Sequence, residues 1–139
     1  MNVTSRLSLL WVLATLNYLY CDVMGLMDPE LLRQFYAGNV NGIPMTQGFL
    51  MAAAILVEIP MAMVVLSRML MYRANRWSNI AAGSVMTAVQ LSTVILTPLA
   101  GFYIFCSIIE ITCTALIVWY AWKWREPAVH VEKGALASR

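Results

Sequence analysis

The feature that most constrains this chain is a set of four apolar stretches, each long enough to cross a bilayer. A helical span needs about 20 consecutive, mostly apolar residues. Residues 7–26, 48–71, 78–98 and 101–124 meet that condition. The length of 139 residues leaves room for one domain. With 61% hydrophobic and 12% charged residues and a mean hydropathy of +0.73, a water-soluble fold of this size could not hide its apolar surface. The expected fold is all-α: an integral membrane four-helix bundle running up-down-up-down over residues 1–125, followed by a polar tail at 126–139. The apolar run after Arg6 has no A-x-A cleavage site and continues to Leu26, so it reads as an uncleaved first span.

The connections are unequal. Residues 72–77 (YRANRW) predict a short basic turn, and residues 97–101 a second one with Pro98 and Gly101 as breakers. The connection 27–47 has structure of its own. Asp28 before Pro29 is an N-cap followed by a first-turn proline. Leu31, Leu32, Phe35 and Tyr36 then form an apolar stripe at helical spacing, Gly38 ends it, and residues 39–42 carry turn chemistry. The expectation is a short interfacial helix between the first two spans, serving as an anchor or as a lid. The lone His130 lies in the tail with no pattern around it.

Lysine and arginine placement gives the orientation. Arg6, Arg68, Arg73, Arg76, Lys123, Arg125, Lys133 and Arg139 fall at one end of the spans, and only Arg33 at the other. Both termini are therefore expected in the cytoplasm. Trp77, Trp119, Trp122 and Trp124 cluster at the same inner interface, with Trp11 not far from it. On this topology the glycosylation-like triplet Asn2-Val3-Thr4 faces the cytoplasm and is not an acceptor. The net charge of +2 is too small to suggest a nucleic-acid partner.

Polar side chains inside the spans are the functional suspects, because a charge at mid-bilayer costs about 2.5–3.5 kcal/mol on insertion scales. They are Asp22, Glu58 and Glu110, with the amides Asn17 and Gln90. At about 1.5 Å per residue, Asn17, Glu58, Gln90 and Glu110 each lie roughly 12–15 Å below the outer end of their span. Each span thus offers one polar group to a common layer, with Asp22 and Cys21 about one turn higher, level with Cys106. Helical spacing puts Tyr103, Cys106, Ser107, Glu110, Cys113 and Thr114 on one face of the last span, and Gly83, Thr87, Gln90 and Thr97 on one face of the third. Ala54 and Ala62 flank Glu58, and Pro60 frees the carbonyl of Leu56. Tyr18 shares a face with Asp22. Val57-Glu58-Ile59-Pro60 also reads against Ile109-Glu110-Ile111-Thr112 as a weak internal repeat, which would relate two hairpins by an axis along the membrane normal.

Two close glutamates in a low dielectric cannot both ionise cheaply and would share a proton. Such a pair can bind a cation, exchange it for protons, or hydrogen-bond a polar ligand. The alternative is neutral carboxyls bridging helices through Asn17 and Gln90, although interhelical bonds of this kind average well under 1 kcal/mol. Three further readings stand beside these. Cys21 and Cys106 meet at equal depth as a redox pair. Cys106, Glu110 and Cys113 ligate a metal, although a fourth ligand is wanting. Ser84, Ala88 and Ser92 form a small-residue stripe suited to packing a second subunit or a helix of the same chain. No motif calls for a cofactor or marks a catalytic residue.

Asn17-Tyr18-Leu19-Tyr20-Cys21-Asp22, Met27-Asp28-Pro29-Glu30-Leu31, Thr46-Gln47-Gly48-Phe49, Glu58-Ile59-Pro60, Tyr72-Arg73-Ala74-Asn75-Arg76 and Trp119-Tyr120-Ala121-Trp122 together resemble an uncharacterised family of small four-span membrane proteins of bacteria and archaea. The resemblance covers about residues 5–125. It implies the same topology and a prokaryotic cytoplasmic-membrane location, and it brings no catalytic residues. The expected function is binding or transport of a proton, a cation or a small amine or amphipathic substrate. Glu58 and Glu110 would exchange, Asn17 and Gln90 would orient them, Thr87 and Cys106 would line the site, and Asp22 with Tyr18 would guard the outer entrance. The alternatives are a membrane-embedded enzyme using the two glutamates as acid and base, and an accessory subunit without chemistry.

Overall fold

A computed structural model describes residues 2–96 and 101–125. They form five helices and one small hairpin: α1 (Val3–Met27), α2 (Pro29–Tyr36), β1 (Asn39–Val40), β2 (Ile43–Pro44), α3 (Gln47–Met69), α4 (Tyr72–Leu96) and α5 (Gly101–Lys123). α1, α3, α4 and α5 are long and apolar enough to cross a membrane. The expected turn at 97–101 falls largely outside the described residues, as do the tail and His130.

Local chemistry explains the helix ends. The Asn2 side chain caps α1 by accepting from the Ser5 amide at 3.2 Å, so the glycosylation-like triplet is a helix start. Asp28 closes α1 and caps α2, where its Oδ1 accepts from the Glu30 amide at 2.9 Å and the Leu31 amide at 3.4 Å. On α2, Leu31 and Leu32 are half-buried, while Phe35 and Tyr36 are exposed. The segment read as turn chemistry is a complete antiparallel hairpin, Val40 opposite Ile43. Asn41 (φ 50°) and Gly42 (φ 84°) both take the left-handed backbone that a two-residue hairpin turn of this type requires. Thr46 caps α3 from its side-chain oxygen.

The junction of α3 and α4 corrects the sequence reading. Residues 72–77 are not a turn but the opening of α4, and only Leu70 and Met71 separate the two helices. The reason is Asn75. Its Nδ2 donates to the carbonyls of Ser67 at 2.7 Å and Leu70 at 3.4 Å, satisfying acceptors that the end of α3 leaves open. Hydropathy falls at Arg73, Asn75 and Arg76, but it reports polarity, not where a helix stops.

α1 packs between α3 and α5, and α4 packs along α5. The apolar core joins Leu7 and Trp11 of α1, Met63 of α3, Met86 of α4, and Ile117 and Ala121 of α5. Gly83 lets α4 approach α5 closely: a Cβ there would lie 2.8 Å from Val118 Cγ2 and 3.3 Å from the Thr114 carbonyl. α3 is held least. It has the highest mean hydropathy of the four, 2.4, yet the smallest buried share, 11%, and its buried residues are Pro60, Met63 and Ser67.

A buried polar network binds α3 to α1 and α4. Trp11 Nε1 donates to Asn79 Oδ1 at 2.8 Å, and Ser67 Oγ donates to the same oxygen at 3.1 Å. Asn79 Nδ2 donates to Asn75 Oδ1 at 2.7 Å and to the Asn75 carbonyl at 2.9 Å. Nearby, Ser8 Oγ donates to the Val64 carbonyl at 2.9 Å. Trp11, Ser67, Asn75 and Asn79 are all fully buried. Trp11 is therefore a core residue and not part of an interfacial tryptophan belt, because its indole N–H has a protein partner.

Asn79→Leu leaves the Trp11 N–H and the Ser67 hydroxyl unanswered, and orphaning a buried donor costs roughly 1–3 kcal/mol. Thermal unfolding of the purified protein, followed by circular dichroism, should show a clearly lowered midpoint for Asn79→Leu. Ser92→Ala, at an exposed position of α4, should leave it within experimental error.

Candidate functional site

Depth along a helix decides which polar groups are level, and side-chain direction decides which of them meet. On α5 the buried residues include Cys106, Ser107, Glu110, Cys113 and Thr114, so the polar face of this helix looks inward. Glu110 is 1% exposed. Asn17 of α1 reaches across to it: its Nδ2 lies 2.9 Å from Glu110 Oε1 and 3.1 Å from the Cys106 carbonyl. The amide thus ties the carboxyl and the α5 backbone to α1 with one side chain. Among the described residues the one ion pair is Arg33–Glu30, so no cation answers Glu110.

The Tyr18 hydroxyl is buried, has no hydrogen-bond partner among the described residues, and lies within electrostatic reach of Glu110, Cys113 and Tyr103. Gln90 Nε2 donates to Ser107 Oγ at 2.8 Å, and Ser107 in turn donates to the Tyr103 carbonyl at 2.8 Å. Thr87 Oγ1 donates to Thr114 Oγ1 at 2.7 Å, and the Thr114 hydroxyl donates to the Glu110 carbonyl at 3.0 Å. The structure therefore brings together Asn17, Tyr18, Glu110 and Cys106 where α1 meets α5, and stitches α4 to α5 beside them through Gln90 and Thr87.

Glu58 does not join this group. It sits midway along α3, two residues from the buried Pro60, and about 200° around the helix from it at about 100° per residue. It is exposed, with Ala54 exposed and Ala62 half-buried beside it. The two glutamates, counted to similar levels in the sequence, have opposite settings, one exposed and one buried, so the proposed carboxyl pair does not form within the chain. The Glu58 and Glu110 segments are likewise unlike in environment, and Asn17, which precedes α3, serves Glu110 instead of Glu58. The repeat read in the sequence is therefore not matched in the hydrogen bonds of its amides or in the exposure of its glutamates.

Asp22 is exposed and within electrostatic reach of Glu110. Cys21 and Cys106 are buried free thiols that neighbour each other, joining α1 to α5 one turn from Glu110. No group of three or more His, Cys, Asp or Glu side chains among the described residues is arranged to hold a metal, which removes the reading of Cys106, Glu110 and Cys113 as ligands. Two cavities lie along the α4/α5 seam and at the end carrying Arg76 and Lys123, and neither is lined by Glu110, Asn17, Tyr18 or Gln90. The polar layer is packed, with small side chains such as Ser107 and Thr114 filling the space between helices.

The sequence reading passed over Asn75 and Asn79. Their signal was present: two amides four residues apart lie on one helical face, but within and beside a segment taken for a turn.

The chain belongs to DUF6326, a family of unknown function. The family's model matches residues 2–130, nearly the whole chain, in keeping with the uncharacterised family that its motifs resemble. No curated protein and no solved structure matches it.

The opposite settings of the two glutamates are testable. Glu110→Leu removes one of the two acceptors of the Asn17 amide and should lower the unfolding midpoint, at a cost of roughly 1–3 kcal/mol. Glu58→Leu removes an exposed acid from an apolar helix face and should leave the midpoint unchanged or raised. Gly83→Val drives a side chain into Val118 and Thr114 and should destabilise by about 1–3 kcal/mol. Parallel thermal melts of the three variants check all of these.

Proposed function

We propose that this chain is a multi-pass protein of the cytoplasmic membrane, with both termini inside, in which Glu110 forms a binding site for a proton or a small cation. The observation that carries the reading is the setting of Glu110: a deeply buried carboxyl with, among the described residues, one amide donor, no cationic partner, and the unpartnered hydroxyl of Tyr18 within electrostatic reach. A buried carboxylate demands a positive charge, and a neutral carboxyl has a proton to give. Both states leave polar capacity at the same place. The charge asymmetry between the two ends of the helices supports the orientation.

The packed surroundings of Glu110 favour a proton, an alkali cation or a single ammonium group over a bulky amphipathic substrate. They also replace the two-glutamate exchange pair with a single carboxyl. Asn17 holds that carboxyl, Tyr18 supplies a second oxygen, and Asp22, nearer the outer end of α1, attracts cations toward it. Acid–base catalysis by paired glutamates loses its second member with Glu58 facing away. One observation favours an accessory subunit without chemistry. Asn17 also bonds the Cys106 carbonyl, as a side chain that merely clamps α1 to α5 would.

The test is flux in proteoliposomes under an imposed pH gradient, read with a pH-sensitive dye in the presence of sodium, potassium or methylammonium. The wild type and Glu58→Gln should dissipate the gradient with at least one of these cations, and Glu110→Gln should not. Glu110→Gln keeps an acceptor for Asn17, so its fold should survive. Gradient dissipation that is equal in wild type and Glu110→Gln, or absent from wild type with every cation, would sink the proposal and leave the accessory reading.

A further inference from the structure

The start of α4 and the end of α5 form a cup that the Glu110 site does not use. Tyr72, Arg76, Trp122, Lys123, Trp124 and Arg125 enclose a cavity of about 600 Å³. Its walls are fixed by specific contacts. The Tyr72 hydroxyl donates to the Trp124 carbonyl at 2.8 Å, and the two rings meet edge to face with centroids 5.1 Å apart. Arg76 Nη2 donates to the Trp122 carbonyl at 3.2 Å, so the guanidinium is anchored at the α5 C-terminus, the negative end of that helix. Arg76 Nε is buried and has no hydrogen-bond partner among the described residues. Lys123 Nζ lies 4.3 Å from the centre of the Trp119 ring.

The chemistry of this cup suits an anion. An arginine has five N–H donors, and the contact with Trp122 uses one. Arg76, Lys123 and Arg125 bring three positive charges to one cavity, and none of them is in an ion pair among the described residues. The acids of the described residues, Asp22, Asp28, Glu30, Glu58 and Glu110, all lie elsewhere in the fold.

A second cavity borders the first at Trp122. It runs along the α4/α5 seam, has a volume of about 530 Å³, and shares Trp122 with the cup. Ser84, Ala88 and Ala115 keep it shallow and open, Leu91 and Val118 line it, and Trp119 stands beside Trp122 as its wall. From Ser84 to Leu91 it rises about 10 Å along α4. A basic cup beside an apolar groove, with Trp122 common to both, fits a molecule with an anionic head and a hydrocarbon chain. Arginine's planar fork suits phosphate oxygens, and the flanking tryptophans suit the level of lipid headgroups.

We propose that the α4/α5 seam binds one anionic phospholipid, its phosphate held by Arg76, Lys123 and Arg125 and one acyl chain lying over Ser84, Ala88 and Ala115. This rests on the membrane placement of the proposed function, but not on the chemistry of Glu110. The groove then belongs to lipid, although the stripe of Ser84, Ala88 and Ser92 also suggests a second subunit.

The full-length protein in neutral detergent, titrated with phosphatidylglycerol, phosphatidylcholine or inorganic phosphate and followed by native mass spectrometry, tests the site. One phosphatidylglycerol should bind per chain, roughly tenfold or more tighter than phosphatidylcholine, and inorganic phosphate alone should compete weakly. Lys123→Gln with Arg125→Gln should abolish that preference while leaving the Arg76 contact to α5, and hence the fold, in place. Ala88→Phe should weaken phosphatidylglycerol binding by filling the groove. Equal binding of both lipids, or a preference unchanged by the charge substitutions, would overturn the site. So would an Ala88→Phe protein that loses a dimer but keeps its lipid, since the groove would then belong to a second copy. A gain of lipid binding only in Glu126→Gln with Glu132→Gln would show that the chain's own carboxylates fill the cup, and would overturn it too. Flotation of the protein with liposomes separates these failures from failure of the membrane reading, which would leave the protein unbound to any bilayer.

Discussion

Asn79 is the hinge on which the packing of three helices turns. An amide buried in apolar surroundings must find partners for both its ends, and here each partner comes from a different element: the Trp11 indole from α1, the Ser67 hydroxyl from α3, and Asn75 from its own helix α4. Apolar packing alone would leave the rotation of α3 poorly specified, since that helix is apolar on nearly every side. The hydrogen bonds fix it. Once Ser67 faces Asn79, Met63 and Pro60 on the same side of α3 are buried with it, and Glu58 is carried to the far side. The exposure of Glu58 is thus a consequence of a contact more than two turns away along its own helix.

A second amide, Asn17, does for the other seam what Asn79 does for the first. It joins α1 to α5 through Glu110 and the Cys106 carbonyl. The two amides differ in what they leave unsatisfied. Around Asn79 every amide atom has a partner. Around Asn17 the site retains a carboxyl with no cation and a tyrosine hydroxyl with no partner among the described residues. Complete networks lock a fold, and incomplete ones leave room for an exchangeable proton or ion. That contrast separates a structural polar cluster from a candidate site, although both are built from the same residue types.

Much of this could be read from the chain beforehand. Four helices long and apolar enough to span, the Asp28-Pro29 helix start, the Asn41-Gly42 turn and the polar face of α5 all follow from local patterns, because length, capping and i, i+4 spacing are properties of a segment by itself. The helix start at Tyr72 was hidden, since the side chain that lets α4 begin so soon, Asn75, bonds to carbonyls of the preceding helix. Trp11 was hidden for the same reason, its partner lying on another element.

The sequence by itself determined depth: counting residues from the helix ends put Asn17, Glu58, Gln90 and Glu110 at similar levels. Only the tertiary structure decided direction. A helix that is apolar almost all round, as α3 is, carries no periodic signal to say which side packs, so Glu58 and Glu110 look equivalent in one dimension and are opposites in three. The rotation of each helix about its own axis is set by hydrogen bonds between helices, and those pair residues remote in sequence.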